Sequence, residues 1–239
     1  MIRLLDTWKY STQDPDCAIQ LLFPGSELIK ENFSQAFQDL FVIKMLNGKT
    51  NGTYLEVGAN HPTFHNNTYL LHHVYKWSGL SIEFDPSCFY DWPQLRPESN
   101  FLLADALSID YKKAMQMWFG NNSGRVDYLQ LDIDPSINTL TVLKKLPHED
   151  FRFSVITFET DAYTGDLRAR DESRMILSSL GYELIGADVS VLFKDISPTP
   201  IAFEDWWVDP LVISSLKVGA LINKDAHQFF PQLLIHQNI

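Results

Sequence analysis

The chain has 239 residues with a formal net charge of −11; 45% of residues are hydrophobic and 21% charged. The length is enough for one α/β domain with a sizeable core, or a domain plus an appendage, and the balance is ordinary for a soluble globular protein. The acidic excess and the lack of a basic tract argue against nucleic-acid binding, which needs Lys and Arg against phosphate. Cys17 and Cys88 are the only cysteines. Two thiols make no disulfide framework, and with no zinc-type Cys/His spacing they point to a reducing, cytoplasmic setting. No apolar run is long enough to span a bilayer, and Met1–Asp6 is not a signal peptide. The Asn-x-Ser/Thr triplets at Asn32, Asn51, Asn66 and Asn121 therefore read as chance matches.

Residues 1–32 form a lead-in with little pattern, polar between Ser11 and Asp16. From Phe33 the apolar residues Phe37, Leu40 and Phe41 recur at helical spacing; Asn32 and Gln35 suggest a capping pair, and Asn47-Gly48 a stop. Thr53–Val57 is the first strand. It carries Glu56 and runs into Gly58-Ala59-Asn60-His61-Pro62, the layout of a nucleotide-binding turn. The pattern then alternates. Helix is expected over 65–77, strand over 80–84, a short irregular link over 87–95, strand over 101–104 and helix over 109–118. Strand follows over 126–133, helix over 137–146, strand over 153–158 and helix over 167–180. Tyr182–Ile185 and Val189–Phe193 complete seven strands as a pair that would bring in an antiparallel strand. Such alternation predicts a mostly parallel sheet with helices on both faces over 33–196. Pro198 and Pro200 open a C-terminal appendage, 197–239, expected to pack on the same domain.

Glu56, Glu83, Asp105, Asp132 and Glu159 fall at or near the ends of five successive predicted strands. In an open α/β sheet these ends share one edge, where ligands bind. The acid after the second strand is the ribose candidate, Glu83. Asp105 is then placed to accept from an adenine amino group, with Phe84 or Ala106 beside the ring. A dinucleotide needs a Gly-rich turn for its pyrophosphate. Gly58 is followed by no further glycine, so the turn suits a cofactor with an amino-acid tail and no phosphate, such as S-adenosylmethionine.

Ser34-Gln35-x-x-Gln38-Asp39-Leu40, Gly52–Asn60, Asn67-Thr68, Trp77-Ser78-Gly79-Leu80-x-Ile82-Glu83, Asp127-Tyr128-Leu129-x-Leu131-Asp132-Ile133-Asp134 and Ser173-Arg174 through Gly181-Tyr182 resemble the FkbM-type S-adenosylmethionine-dependent methyltransferases. The resemblance covers roughly residues 33–195. It implies a Rossmann-like class I methyltransferase fold and O-methylation of a hydroxyl, often on a sugar or glycan. It implies that Glu56, Gly58 and Asn60 line the methionine end, Glu83 the ribose and Asp105 the adenine, with Gln38 closing over the cofactor. Asp134 and Pro135 depart from the usual residues after the fourth strand.

A sugar hydroxyl is a very weak acid, so a base or a metal is needed to help remove its proton. Asp132 and Asp134 after one strand, with Glu159 and Asp161 after the next, make an oxygen-rich set suited to Mg²⁺ or Mn²⁺. The alternative is that Asp132 contacts cofactor or acceptor directly. His61 is the other base candidate and is expected near the acceptor; His65 is a weaker one, and His72 and His73 read as structural. Trp206 and Asp205 either hold a sugar ring or plug the tail onto the core. Arg168, Arg170 and Arg174 read as a solvated helix face with Asp171 and Glu172. The leading expectation is a glycan or sugar-hydroxyl O-methyltransferase. Methylation of a small non-sugar hydroxyl or a protein group, or a non-catalytic binding domain, are the rivals.

Overall fold

The computed structural model describes residues 9–15, 17, 19–120, 124–192, 197–214 and 229–236. The triplet at Asn121 and the expected strand end at Phe193 lie outside these residues, as do parts of the lead-in and of the C-terminal stretch. The strands are β1 (Thr53–Val57), β2 (Ser78–Glu83), β3 (Asn100–Leu103), β4 (Arg125–Leu131), β5 (Arg152–Glu159), β6 (Glu183–Val191) and β7 (Ile201–Val208). They form one sheet in the order β3-β2-β1-β4-β5-β7-β6. β1 to β5 run parallel, and β7 lies antiparallel between β5 and β6. This is a mostly parallel, Rossmann-like sheet with one antiparallel strand, the architecture that the resemblance implies.

Strand residues alternate between two cores, as the period of two requires. Tyr54, Tyr128, Val155 and Trp206 face α1 (Gln38–Met45), α2 (Tyr69–His73) and the C-terminal helix Pro231–His236. Their neighbours Leu55, Leu129, Ile156 and Trp207 face α4 (Tyr111–Phe119), α5 (Ser136–Lys145) and α6 (Arg168–Ser179). A short helix, α3 (Asp91–Leu95), links β2 to β3. α1 is buried along its whole length, which is why it shows no amphipathic stripe.

Three local expectations change. The first helix begins at Gln38 rather than near Phe33, because Asp39 takes the amides of Phe33 and Ser34 at 2.7 and 3.1 Å and Phe37 adopts φ 66°. The helix expected over 65–77 is only Tyr69–His73: Asn66 and Asn67 are buried, and the Asn66 side chain bonds Ala59 O and Thr68 N instead of starting a turn. The expected strand pair is one strand, β6, whose irregular register around Gly186 and Asp188 gives the sequence its break.

The seventh strand comes from the stretch read as an appendage. Its acids are neutralised inside the fold. Asp205 accepts from Arg174 Nε and Nη2, both at 2.7 Å, and from the Asp188 amide at 2.9 Å. Trp206 stacks on Phe41 at 4.3 Å. Both side chains are fully buried, at 0% exposure, so neither can touch a sugar; the plug reading is the one the structure supports. Arg174 is part of this core pairing, Arg170 joins it through Asp188 at 3.4 Å while also pairing with Asp171, and Arg168 pairs with Asp166 at the surface.

Candidate functional site

The carboxyl ends of β1 to β4 surround a cavity of about 630 Å³, within the range of small-molecule sites. Its floor is Glu56, which is 1% exposed. Glu56 Oε2 accepts from Thr68 Oγ1 at 2.8 Å and Ser81 Oγ at 2.7 Å, and Arg96 Nη1 stands 4.0 Å away. Burial pushes the Glu56 carboxyl upward, and Arg96 together with these hydrogen bonds pulls it down. Arg96 is itself sealed among the rings of Tyr54, Tyr69 and Trp92, and it donates to Tyr54 OH, Asn66 Oδ1 and Thr68 Oγ1. The floor is thus a carboxylate with a buried counter-charge behind it.

The turn after β1 is fixed by the chain itself. Gly58 has φ 83°, and a Cβ there would stand 1.6 Å from the Asp132 carbonyl oxygen. Glycine is required where the β1 and β4 turns meet, and no ligand need be invoked to explain it. The Asn60 amide donates to Glu83 Oε2 at 2.7 Å, while Glu83 Oε1 accepts from the amides of Phe84 and Asp85 at 2.7 and 2.9 Å. Three amides therefore orient Glu83 at the mouth of β2. Asp105 caps the turn after β3 through Leu107 N and Ser108 Oγ at 2.8 and 2.9 Å. Phe84 is 72% exposed at the rim, and Ala106 lies beside Asp105 on the wall.

Among the described residues six carboxylates line this cavity, those of Glu56, Glu83, Asp85, Asp105, Asp132 and Asp134, and no lysine or arginine does so. The cavity is a field for cations.

At the far side Asp134, Glu159 and Asp161 each offer a carboxylate oxygen within 4.8 Å of the others. Asp132, which lines the cavity, lies beside Glu159. Burial, then the neighbouring carboxylates, raise Asp132, Glu159 and Asp161. Glu159 Oε2 and Asp161 Oδ1 are buried with no hydrogen-bond partner. Four acids on two adjacent strand ends cannot all ionise without a proton or a cation between them. The oxygen donors fit a hard divalent ion.

Two expected contacts are replaced by neighbours. Gln38 is buried and turned inward, its Oε1 accepting from the Ala36 amide at 2.7 Å; Gln35, three residues earlier, lines the cavity. His61 does not reach the cavity wall. Its Nδ1 accepts from the amides of Thr63 and Phe64 at 3.2 and 3.0 Å, so it shapes the loop, and His65 is the histidine on the wall. Asn67 and Cys88 also line the cavity. Both cysteines are free thiols. The Arg96 support has no local sequence signal, since its partners lie 28 to 42 residues away.

No protein family and no curated protein matches the chain. Solved structures share its course at low identity. A protein from Thermoplasma acidophilum is 17% identical over 71% of this chain and 81% of its own, with a TM-score of 0.46. A putative RNA methyltransferase from Pyrococcus horikoshii is 11% identical over 84% and 93%, with a TM-score of 0.47. A TehB-like SAM-dependent methyltransferase from Corynebacterium glutamicum is 15% identical over 72% and 87%, with a TM-score of 0.42. Among the described residues no helix is long and apolar enough to cross a membrane.

Proposed function

We propose that the chain is an S-adenosylmethionine-dependent O-methyltransferase that acts on a sugar or glycan hydroxyl with the help of a divalent cation. The observation that carries the cofactor assignment is the cavity of six carboxylates with no basic side chain. S-adenosylmethionine brings two positive charges, a sulfonium and an ammonium. A dinucleotide would bring a pyrophosphate into the same field with no lysine, arginine or second glycine to receive it.

The assignment within the cavity follows the strand ends. Glu56, with Arg96 behind it, takes the ammonium, with Gly58 and Asn60 at the same end. Glu83 takes the ribose hydroxyls. Asp105 accepts from the adenine amino group, with Phe84 and Ala106 against the ring. Bound S-adenosylmethionine supplies an electrophilic methyl group on its sulfur. Asp132, Asp134, Glu159 and Asp161 would hold the divalent ion, whose chemistry is to lower the pKa of a hydroxyl. Asp132 belongs to both sites, lining the cavity and lying beside Glu159, and we assign it the positioning of the acceptor oxygen. His61 holds the loop that faces the acceptor and is not assigned the proton.

Incubation of candidate glycans with protein, S-adenosylmethionine and Mn²⁺, followed by mass spectrometry, tests the reading. A product heavier by one methyl group, lost on chelation, supports it. Methylation that survives exhaustive chelation removes the metal, and methylation of small phenols or protein groups in place of glycans removes the acceptor class.

A further inference from the structure

Beside the cofactor cavity lies a second cleft of about 310 Å³, walled by Lys9, Glu31, Phe33, Thr63, Phe64 and His65. His65 lines both spaces. The chain crosses between them a second time, with Ser34 in the cleft and Gln35 in the cofactor cavity. Given the methyltransferase reading above, on which this inference rests, we propose that the cleft seats a pyranose ring of the acceptor, stacked on Phe64, with its reacting hydroxyl passing His65 into the cofactor cavity.

Phe64 is 64% exposed, and its ring lies against the His65 ring at 3.9 Å and 21°. The platform is built rather than incidental. His61 Nδ1 holds the amides of Thr63 and Phe64, the Asn66 side chain holds Ala59 O at 3.1 Å, and the Asn66 amide donates to Phe33 O at 3.1 Å. His65 itself is kept at φ 52°, a left-handed conformation that a non-glycine residue adopts at some cost. Two ends of one loop are thus pinned while an apolar ring faces water, and that ring gains when another apolar face covers it.

The rim chooses between kinds of flat ligand. Asn32 and Ser34 spend their polar atoms internally: Asn32 on the Tyr10 amide and Ser34 O, and Ser34 on Asp39. Lys9 and Glu31 remain at the edge as a donor and an acceptor, and the Thr63 hydroxyl, 3.4 Å from His61 Nδ1, can act as both. A pyranose has an apolar C–H face for Phe64 and a hydroxyl edge for these three. A phenol would stack as well but would cover the rim charges without replacing their water, which is unfavourable. Burial lowers the His65 pKa, so its ring is neutral near pH 7 and does not repel a sulfonium in the adjoining cavity.

Saturation-transfer NMR on the full chain loaded with S-adenosylhomocysteine tests this. The probes are methyl β-glucopyranoside, methyl α-mannopyranoside and methyl α-rhamnopyranoside, with p-cresol as the non-sugar arm. At least one glycoside should receive saturation, concentrated on the C–H protons of one ring face. Phe64→Ala should weaken that glycoside about 3- to 10-fold, the value of one aromatic contact, with S-adenosylhomocysteine affinity and melting temperature unchanged. Equal glycoside signals in wild type and Phe64→Ala overturn the placement. No glycoside signal, or p-cresol binding in preference, overturns the sugar class. A wild-type chain that fails to bind S-adenosylhomocysteine overturns the methyltransferase reading itself, a distinct result.

Discussion

Replacing Arg96 by methionine removes the only cation within ion-pair distance of Glu56 among the described residues. At 4.0 Å and an effective dielectric of about 20, the pair is worth about 4 kcal/mol of attraction. Burial already raises the Glu56 carboxyl, so losing Arg96 moves it further in the same direction and favours the protonated form. A protonated Glu56 offers the ligand ammonium no charge. A charge-assisted hydrogen bond worth about 1.5–3 kcal/mol is lost, which is roughly 10- to 100-fold in affinity. The sign then fixes the pH profile. Affinity of the variant for S-adenosylhomocysteine should rise with pH more steeply than that of the wild type, because Glu56 regains its charge as pH rises; the wild type should stay nearer its plateau. Adenosine, which lacks the amino-acid tail, should bind both proteins alike. Arg96→Lys keeps a charge and should fall between them. The assay is calorimetric titration at each pH, with circular dichroism to confirm folding, since Arg96 also satisfies Tyr54, Asn66 and Thr68. Identical pH profiles in wild type and Arg96→Met, or an equal loss for adenosine, would refute the reasoning.

Other outcomes follow from the same geometry. Glu159→Gln removes one of four crowded acids, so the metal-free protein should melt higher than wild type; Mn²⁺ at about 100 times its Kd should add about 2.7 kcal/mol to the wild type and little to the variant, read by thermal denaturation. Trp206→Ala, in the fully buried core, should cost about 3–5 kcal/mol in a urea titration, whereas a sugar-contact role would leave stability unchanged. For Asp209, burial opposes ionisation, but hydrogen bonds from Arg152 and Arg125 outweigh it and hold the carboxyl below its usual range. Its contribution is therefore present above the unfolded value of about 3.9 and is lost as pH falls through the lower folded value. Asp209→Asn should flatten the acid limb of stability measured between about pH 5 and about pH 2.

The sheet was legible because its signals are local. Thr53–Val57 and the helices over 136–145 and 168–179 carry their own periodicity, and five strand ends carry acids. The seventh strand was not, because Glu204 and Asp205 break the apolar pattern. The Glu204 carboxylate accepts from the Trp206 indole, and the counter-charge of Asp205 is Arg174, 31 residues away and brought beside it only by the folded sheet. At the site, spacing located the turn but not the rotation of its neighbours. Gln35 lies in the bend before the helix that Gln38 opens, and a pinned loop separates His61 from His65; which member of each pair faces the cavity is decided by Asp39 and by the His61 hydrogen bonds. Glycine at position 58 was legible as a turn residue, but its reason is the Asp132 carbonyl across the sheet.

The central claim is that an acidic cavity at the ends of β1 to β4 receives S-adenosylmethionine. Calorimetric titration of the full chain with S-adenosylhomocysteine tests it most directly, with NAD in parallel. The account predicts saturable one-site binding of S-adenosylhomocysteine that is weakened by Glu56→Gln and by Glu83→Gln, and no heat with NAD. Silence with S-adenosylhomocysteine at high micromolar concentration, or binding of NAD in its place, would contradict it.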